Sequence, residues 1–134
     1  MIIKPIDNSH IKFLFELLEE RKEIQNISHT KLPTYKEHEE FVKSKPYKKW
    51  YVIIIDVGMI GSINLTKNNE IGLFLKEDYC HNAYGQKALK LLMKENPCSF
   101  YLANINPKNE ESLNFFSKNN FKPCQITYRL YSKA

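Results

Sequence analysis

The stretch "EIGLFLKEDYCHNAYGQKALKLL", Glu70 to Leu92, holds the residues of the chain best placed to do chemistry. It alternates as a strand through Leu75, breaks into a polar run, passes Gly85 and continues with helical spacing. The first N–H groups of a helix have no internal partner, so a strand entering a helix through a polar loop makes a cradle for an anion. Competing chemistries are poorly supplied. His10, His29, His38 and His81 form no i, i+4 pair and no ligand spacing, so a metal site is not expected. Cys80 and His81 are adjacent, and adjacent side chains on extended backbone point apart, which disfavours a nucleophile pair. The GxxxxGK[ST] phosphate loop and the nucleophile elbow are both missing.

Composition narrows the anion's setting. At 134 residues the chain is long enough for one domain with a real core, and 43% apolar with 26% charged residues describes an ordinary globule. Its longest strongly apolar run, Tyr51 to Ile55, is far short of the roughly 18 residues of a membrane span, so no membrane partner is expected. The start "MIIKPIDNSH" lacks the pattern of an export signal. Cys80, Cys98 and Cys124 are odd in number and unpaired in spacing, which fits a reducing, cytoplasmic location. The net charge of +5 comes from scattered lysines whose longest cluster is Lys48-Lys49. That distribution reads as solvated surface and not as a nucleic-acid footprint.

The elements that must position the junction follow in order. Ile2–Ile6 reads as a short strand. Asn8 or Ser9 caps a helix with Ile11, Leu14, Phe15 and Leu18 on one face, fraying through Glu19–Glu23. After the irregular "QNISHTKLP", Thr34 and Glu37 form a capping-box pattern that opens a second helix, stopped by Pro46. "WYVIIID" and "MIGSINLT" are neighbouring strands turned at Val57-Gly58, and Asn68-Asn69 turns into "EIGLFLK". The Gly85–Lys94 helix follows, then "SFYLANIN" as a fifth strand. A helix capped by Asn109 carries Leu113 and Phe116, and "FKPCQITYRLY" reads as a closing strand. The expectation is a mixed α/β domain over 1–134.

This order, the junction, and "NPKNEESLNFFSKNNF" together resemble the GNAT superfamily of acyl-coenzyme A-dependent N-acyltransferases. The resemblance covers nearly the whole chain and is most specific from about Gly58 to Phe121. It implies a mostly antiparallel central sheet, splayed between the fourth and fifth strands, with about four helices. It also implies acetyl-coenzyme A as co-substrate and no metal. The family loop Gln/Arg-x-x-Gly-x-Gly/Ala falls on Cys80, His81, Asn82, Ala83, Tyr84 and Gly85. By that match these amides, with Gln86, hold the coenzyme pyrophosphate. The splayed strand end Phe74, Leu75, Lys76 and Glu77 holds the pantetheine arm. The later pattern Asn-x-x-Ala/Ser-x-x-Leu-Tyr-x-Lys-x-Gly-Phe falls on Asn109, Ser112, Phe115, Phe116, Lys118, Asn120 and Phe121, and adds Asn109, Ser112 and Phe116 to the coenzyme set. Cys80 replaces a long polar brace and Ala83 a glycine, which is costly only if that position needs a positive φ. Asn120 replaces glycine at a helix end, where asparagine is the next-best left-handed cap.

The resemblance also implies the chemistry. Direct acyl transfer needs a bound thioester, a deprotonated amine and a proton for the thiolate, and a free lysine-type amine titrates at about 10.4. A base is therefore required. Glu70 on the fourth strand matches that role, acting through water. Asn104 on the fifth strand stands where a carboxylate is often found and is expected to orient the amine or the bridging water. The usual tyrosine acid is replaced by Phe116, leaving solvent, Ser112 or Tyr128 to protonate the thiolate. The acceptor wall falls on the first two helices and their connection. There Arg21, His29 and His38 are candidates to meet a phosphate or carboxylate, and Glu37 or Glu40 an amine. The expected acceptor is a nucleotide-linked amino sugar or a protein or peptide amine, and the expected state a monomer or homodimer. The alternative is a coenzyme-binding or interaction module of the same fold without catalysis, because Cys80, Ala83, Asn104 and Phe116 all depart from the pattern.

Overall fold

A computed structural model of the chain describes residues 1–21 and 31–132. Strand β1 (Ile2–Pro5) is followed by a short 3-10 turn (Asn8–His10), then helices α1 (Ile11–Glu20) and α2 (Tyr35–Lys43). Strands β2 (Lys49–Ile55), β3 (Gly58–Leu65) and β4 (Ile71–Leu75) come next, then a second 3-10 turn (Glu77–Tyr79). Helices α3 (Tyr84–Glu95) and α4 (Glu110–Lys118) complete the elements. The four strands form an antiparallel sheet in the order β1-β2-β3-β4.

Strand alternation divides the core between the two faces of this sheet. On one face Ile11, Phe13, Leu14, Leu17 and Val42 of α1 and α2 pack with Val52, beside Trp50 and Ile54. On the other, Ala88, Leu89 and Leu92 of α3 are fully buried against Ile53, Ile60, Ile63 and Leu65. Full burial of such side chains contributes about 1.5–3 kcal/mol each, so α3 is firmly anchored through its second and third turns. Its first turn comes close as well. A Cβ on Gly85 would lie 3.2 Å from the Phe115 ring and 3.5 Å from Leu73, so any larger residue there would press on the Phe115 ring.

Local signals in the sequence set most helix ends. Thr34 and Glu37 close the expected capping box on α2, with bonds of 3.1 and 2.9 Å. The first helical segment is capped one residue earlier than expected. Asp7 accepts from the Ser9 amide at 2.8 Å, and His10 Nδ1 accepts from the Asp7 amide at 3.0 Å. Asn120 takes the left-handed conformation, φ 71°. The Phe121 and Asn120 amides reach back to Phe116 and Ser117 carbonyls at 2.9 and 3.1 Å, and the Phe116 and Phe121 rings meet edge to face with centroids 5.1 Å apart. Paired 6→1 and 5→2 bonds with an apolar clasp are what a left-handed helix cap requires.

Two expected strands are not strands. The segment "SFYLANIN" touches the sheet at a single parallel bridge, Glu70 to Leu102. The segment after Phe121 pairs with nothing among the described residues, and Ile126, Tyr128 and Leu130 are 80%, 91% and 92% exposed. Alternation marks a face, but a strand also needs a paired edge, and beyond Leu102 the chain does not pair with the open outer edge of β4.

Candidate active site

The single bridge creates the site. The Ile71 amide donates to Leu102 O at 2.7 Å and the Leu102 amide to Asn69 O at 2.8 Å. Past that point β4 continues without a partner on its outer edge. Backbone parity follows from neighbouring bonds: Thr66 donates to Glu70 O at 2.9 Å and Lys76 to Ile60 O at 2.8 Å, both into β3. Strand alternation then turns the N–H and C=O groups of Leu73 and Leu75 into the gap. This revises the expectation that the whole run Leu75–Glu77 offers its amides. The Lys76 amide is engaged inside the sheet, and the Glu77 amide donates to Glu20 Oε1 at 3.2 Å. Leu73, not anticipated from sequence, joins Leu75 in their place.

At the far end of the gap lies the junction. The Cys80 amide closes the 3-10 turn on Glu77 O, and the first helical bond of α3 runs from Lys87 to Ala83 O at 3.1 Å. Between them the amides of His81, Asn82, Ala83, Tyr84, Gly85 and Gln86 donate to no described residue, and no side chain caps the helix. Those unpartnered donors, together with the positive end of the α3 dipole, are an anion cradle. Ala83 has φ −75° and ψ 6°, a right-handed conformation, so its lack of glycine costs nothing. Cys80 braces the loop after its own fashion, its thiol donating toward the Leu75 and Lys76 carbonyls at 3.6 and 3.4 Å.

A cleft of about 260 Å³ opens beside this loop. Leu17, Glu20 and Arg21 from the end of α1 line one wall, and Phe74, Leu75 and Glu77 the floor. Cys80, His81 and the start of α4, Lys108 to Glu111, line the rest. Asn109 is buried and accepts from the Ser112 amide at 3.2 Å, so both residues serve the cap of α4 at the cleft wall. His81 lies 3.9 Å from Glu111, an exposed contact worth little. Lys108 was not singled out from sequence. Its signal was the cap itself, because the residue before a helix start faces what the helix end faces.

Glu70 and Asn104, assigned a shared role from sequence, do meet. The Asn104 side-chain amide donates to Glu70 Oε2, while Thr66 Oγ1 donates to Oε1 at 3.1 Å. Thr66 Oγ1 also accepts from the Glu70 amide at 3.0 Å, which fixes the carboxylate at the closed end of the gap. From Leu75 to Glu70 is five strand steps, roughly 17 Å. The cradle and the carboxylate thus sit beyond opposite ends of β4, and the cleft lies at the cradle end.

Two other assignments change. Phe116 is buried against Phe115 and Phe121 and does not line the cleft, so it belongs to the core. His38 is 3% exposed, with its Nε2 donating to Ile11 O at 2.9 Å between α1 and α2, and its role is packing and not acceptor contact. His29 lies outside the described residues. Burial lowers the His38 pKa below its usual 6.5, against the opposing pull of the bond to Ile11. The unfolded chain therefore takes up this proton first, and the native state loses stability as pH falls from about 6.5 toward the lowered folded value. His38→Gln, which keeps a donor for Ile11 O, should flatten that acid limb in urea unfolding measured across pH. An unchanged limb would assign it to other groups.

Solved structures that share this fold are numerous. One is a ribosomal L7/L12 alpha-N-protein acetyltransferase in complex with coenzyme A, 20% identical, TM-score 0.71, covering 89% of this chain and 78% of that one. This is the GNAT fold. A ribosomal-protein-alanine N-acetyltransferase from Brucella melitensis matches at TM-score 0.71 and 13% identity, over 93% and 86% of the two chains. A transcriptional regulator from Bacillus halodurans matches at 0.72 and 13%, over 98% and 99%. No protein-family model and no curated relative matches the sequence. The mixed α/β class, the antiparallel sheet and the four helices are as expected, whereas the gap beside β4 faces a segment that bridges at Leu102 and forms no fifth strand. Among the described residues no helix is long and apolar enough to cross a membrane, and no group of three or more metal-ligating side chains occurs.

Proposed function

We propose that this protein is an N-acetyltransferase that moves an acetyl group from acetyl-coenzyme A to a primary amine by direct attack. The observation that carries the reading is the row of free amides at the start of α3, at one end of an outer β4 edge whose other end holds the Glu70 carboxylate. The amides of His81 to Gln86 receive the pyrophosphate, as six unpartnered donors at a helix start are suited to do. Leu73 and Leu75 offer backbone donors and acceptors to the pantetheine amides, in the manner of an added strand. Phe74 and the cleft wall exclude water along the way.

Glu70, held by Asn104 and Thr66, takes the amine proton through a water. A C–N bond forms as the C–S bond breaks, and with Phe116 unable to donate, solvent protonates the departing thiolate. The acceptor is a nucleotide-linked amino sugar or a peptide or protein amine. The solved relatives whose names specify ribosomal protein N-termini or alanines support the second. Titration calorimetry with acetyl-coenzyme A should give saturable binding in the micromolar range. No heat at millimolar ligand would overturn the reading, and binding without thiol release over a panel of amines would leave a coenzyme-binding module.

A further inference from the structure

Two parts of the chain lack partners and suit each other. The arm formed by residues 122–132 follows the Phe121 clasp and pairs with nothing among the described residues. It is extended all the same. Gln125 Nε2 donates to Thr127 Oγ1 at 3.4 Å, and the Arg129 guanidinium stands 5.4 Å from the centre of the Tyr131 ring, so residues two apart share a face. The opposite face carries Ile126, Tyr128 and Leu130, almost wholly exposed. The second part is the far side of the segment that bridges to β4. Leu102 turns both its backbone groups toward β4, its amide to Asn69 O and its carbonyl to the Ile71 amide. Extended backbone alternates, so the N–H and C=O groups of Tyr101 and Ala103 point outward. They make no backbone hydrogen bond among the described residues. This edge is held firmly, because the Tyr101 ring packs on the α3 core and its hydroxyl donates to Asn96 O at 2.6 Å. Phe100, beside it, is an exposed apolar side chain.

An unpaired edge is a template for a strand, and a strand already extended gives up little freedom on adding to it. We propose that the two meet between copies: residues 125–131 of one chain add to the Tyr101–Ala103 edge of a second copy, whose own arm makes the same contact in reverse. Two features favour a second copy over an unrelated partner. Arm and edge belong to the same chain, so one two-fold axis satisfies both contacts and closes the assembly. The area also suffices. Tyr128 carries roughly 150–250 Å². Ile126 and Leu130 carry roughly 60–120 Å² each. Two arms with the surface each covers come to roughly 1,100–2,000 Å², which is the size of a stable interface. The inference does not rest on the acetyltransferase reading.

Sedimentation of the full chain from micromolar to millimolar concentration should show a species of twice the chain mass. Amide hydrogen exchange locates the contact. In the dimer the Tyr101 and Ala103 amides should be protected together with alternate amides of the arm, and dilution to monomer should release both sets at once. Tyr128→Asp combined with Leu130→Asp leaves the monomer's core untouched, since both side chains are exposed. Dimerisation of that variant should weaken at least about 100-fold, because each substitution counts twice about a two-fold axis. Ala103→Pro removes one outward donor at an edge position, where proline is tolerated, and should weaken it about 10-fold. A chain that stays monomeric at millimolar concentration would overturn the proposal, whether its arm is solvated or folded onto its own edge. So would a dimer whose Tyr101 and Ala103 amides exchange freely, because another surface then holds it. A dimer indifferent to the paired aspartates would overturn it as well.

Discussion

Glu70→Gln should lower acetyl transfer at neutral pH by about two to four orders of magnitude while leaving coenzyme affinity unchanged. General bases contribute ~100- to 10,000-fold, and Gln keeps the shape of Glu but cannot accept a proton. The surroundings favour a clean experiment. Asn104 and Thr66 both donate to the native carboxylate, and the Gln amide can still accept from one of them through its oxygen. The strand bridge to Leu102 is made by backbone and does not depend on the side chain. The variant should therefore fold, and its thermal midpoint serves as the control. Raising the pH should recover part of the rate, because more of the amine then arrives deprotonated. That recovery should appear near pH 8 for an α-amine and above pH 10 for a lysine-type amine, following their usual pKa values of about 7.7–8.0 and 10.4. A variant with normal turnover at neutral pH would make Glu70 a structural ligand of Thr66 and Asn104 and pass the proton to bulk water.

What could be read from sequence divides along a physical line. Signals carried within a few residues were legible: the Thr34/Glu37 box, the apolar face of α3, the left-handed Asn120 and the turns at Gly58 and Asn69. Each depends on local conformation and so leaves its mark in adjacent residue types. Signals that depend on a distant partner were not. The alternation of "FKPCQITYRLY" predicts a strand, but no edge meets it among the described residues, and its apolar side chains lie in solvent. The same distinction holds at the site. The positions of Glu70 and Asn104 followed from their place in the family pattern, and the contact between them bears out their nearness while leaving their role to experiment. Which β4 amides face the gap depended on the parity of the Glu70–Leu102 bridge. One residue's difference in that pairing would have turned Lys76 outward in place of Leu73 and Leu75. His38 misled because a buried imidazole and a binding imidazole look the same in sequence, whereas the seat of Arg21 over the Phe74 ring is a contact far apart in sequence, which only coordinates could show.

The cradle admits a test in which fold and function should move in opposite directions. Ala83→Asp places a carboxylate beside the six free amides at the start of α3, where no side chain caps the helix. An acid there interacts favourably with the helix dipole and should raise stability by about 0.3–1 kcal/mol. The backbone offers no obstacle, since Ala83 is exposed and right-handed at φ −75°. For the coenzyme the same carboxylate is a competitor and a like charge. Two unit charges 4 Å apart near a protein surface repel by up to about 4 kcal/mol, and screening and solvent reduce that. A weakening of coenzyme affinity by about 30- to 100-fold is expected, diminishing as salt is added. Calorimetry and thermal unfolding on one sample give both numbers. A stabilised variant that binds acetyl-coenzyme A as tightly as the parent would show that the α3 amides are merely solvated, and that the anion binds elsewhere. A variant that loses both stability and affinity would show instead that position 83 tolerates no side chain larger than a methyl, a packing constraint and not a charge effect. Only opposite signs identify the free amides as the seat of the pyrophosphate.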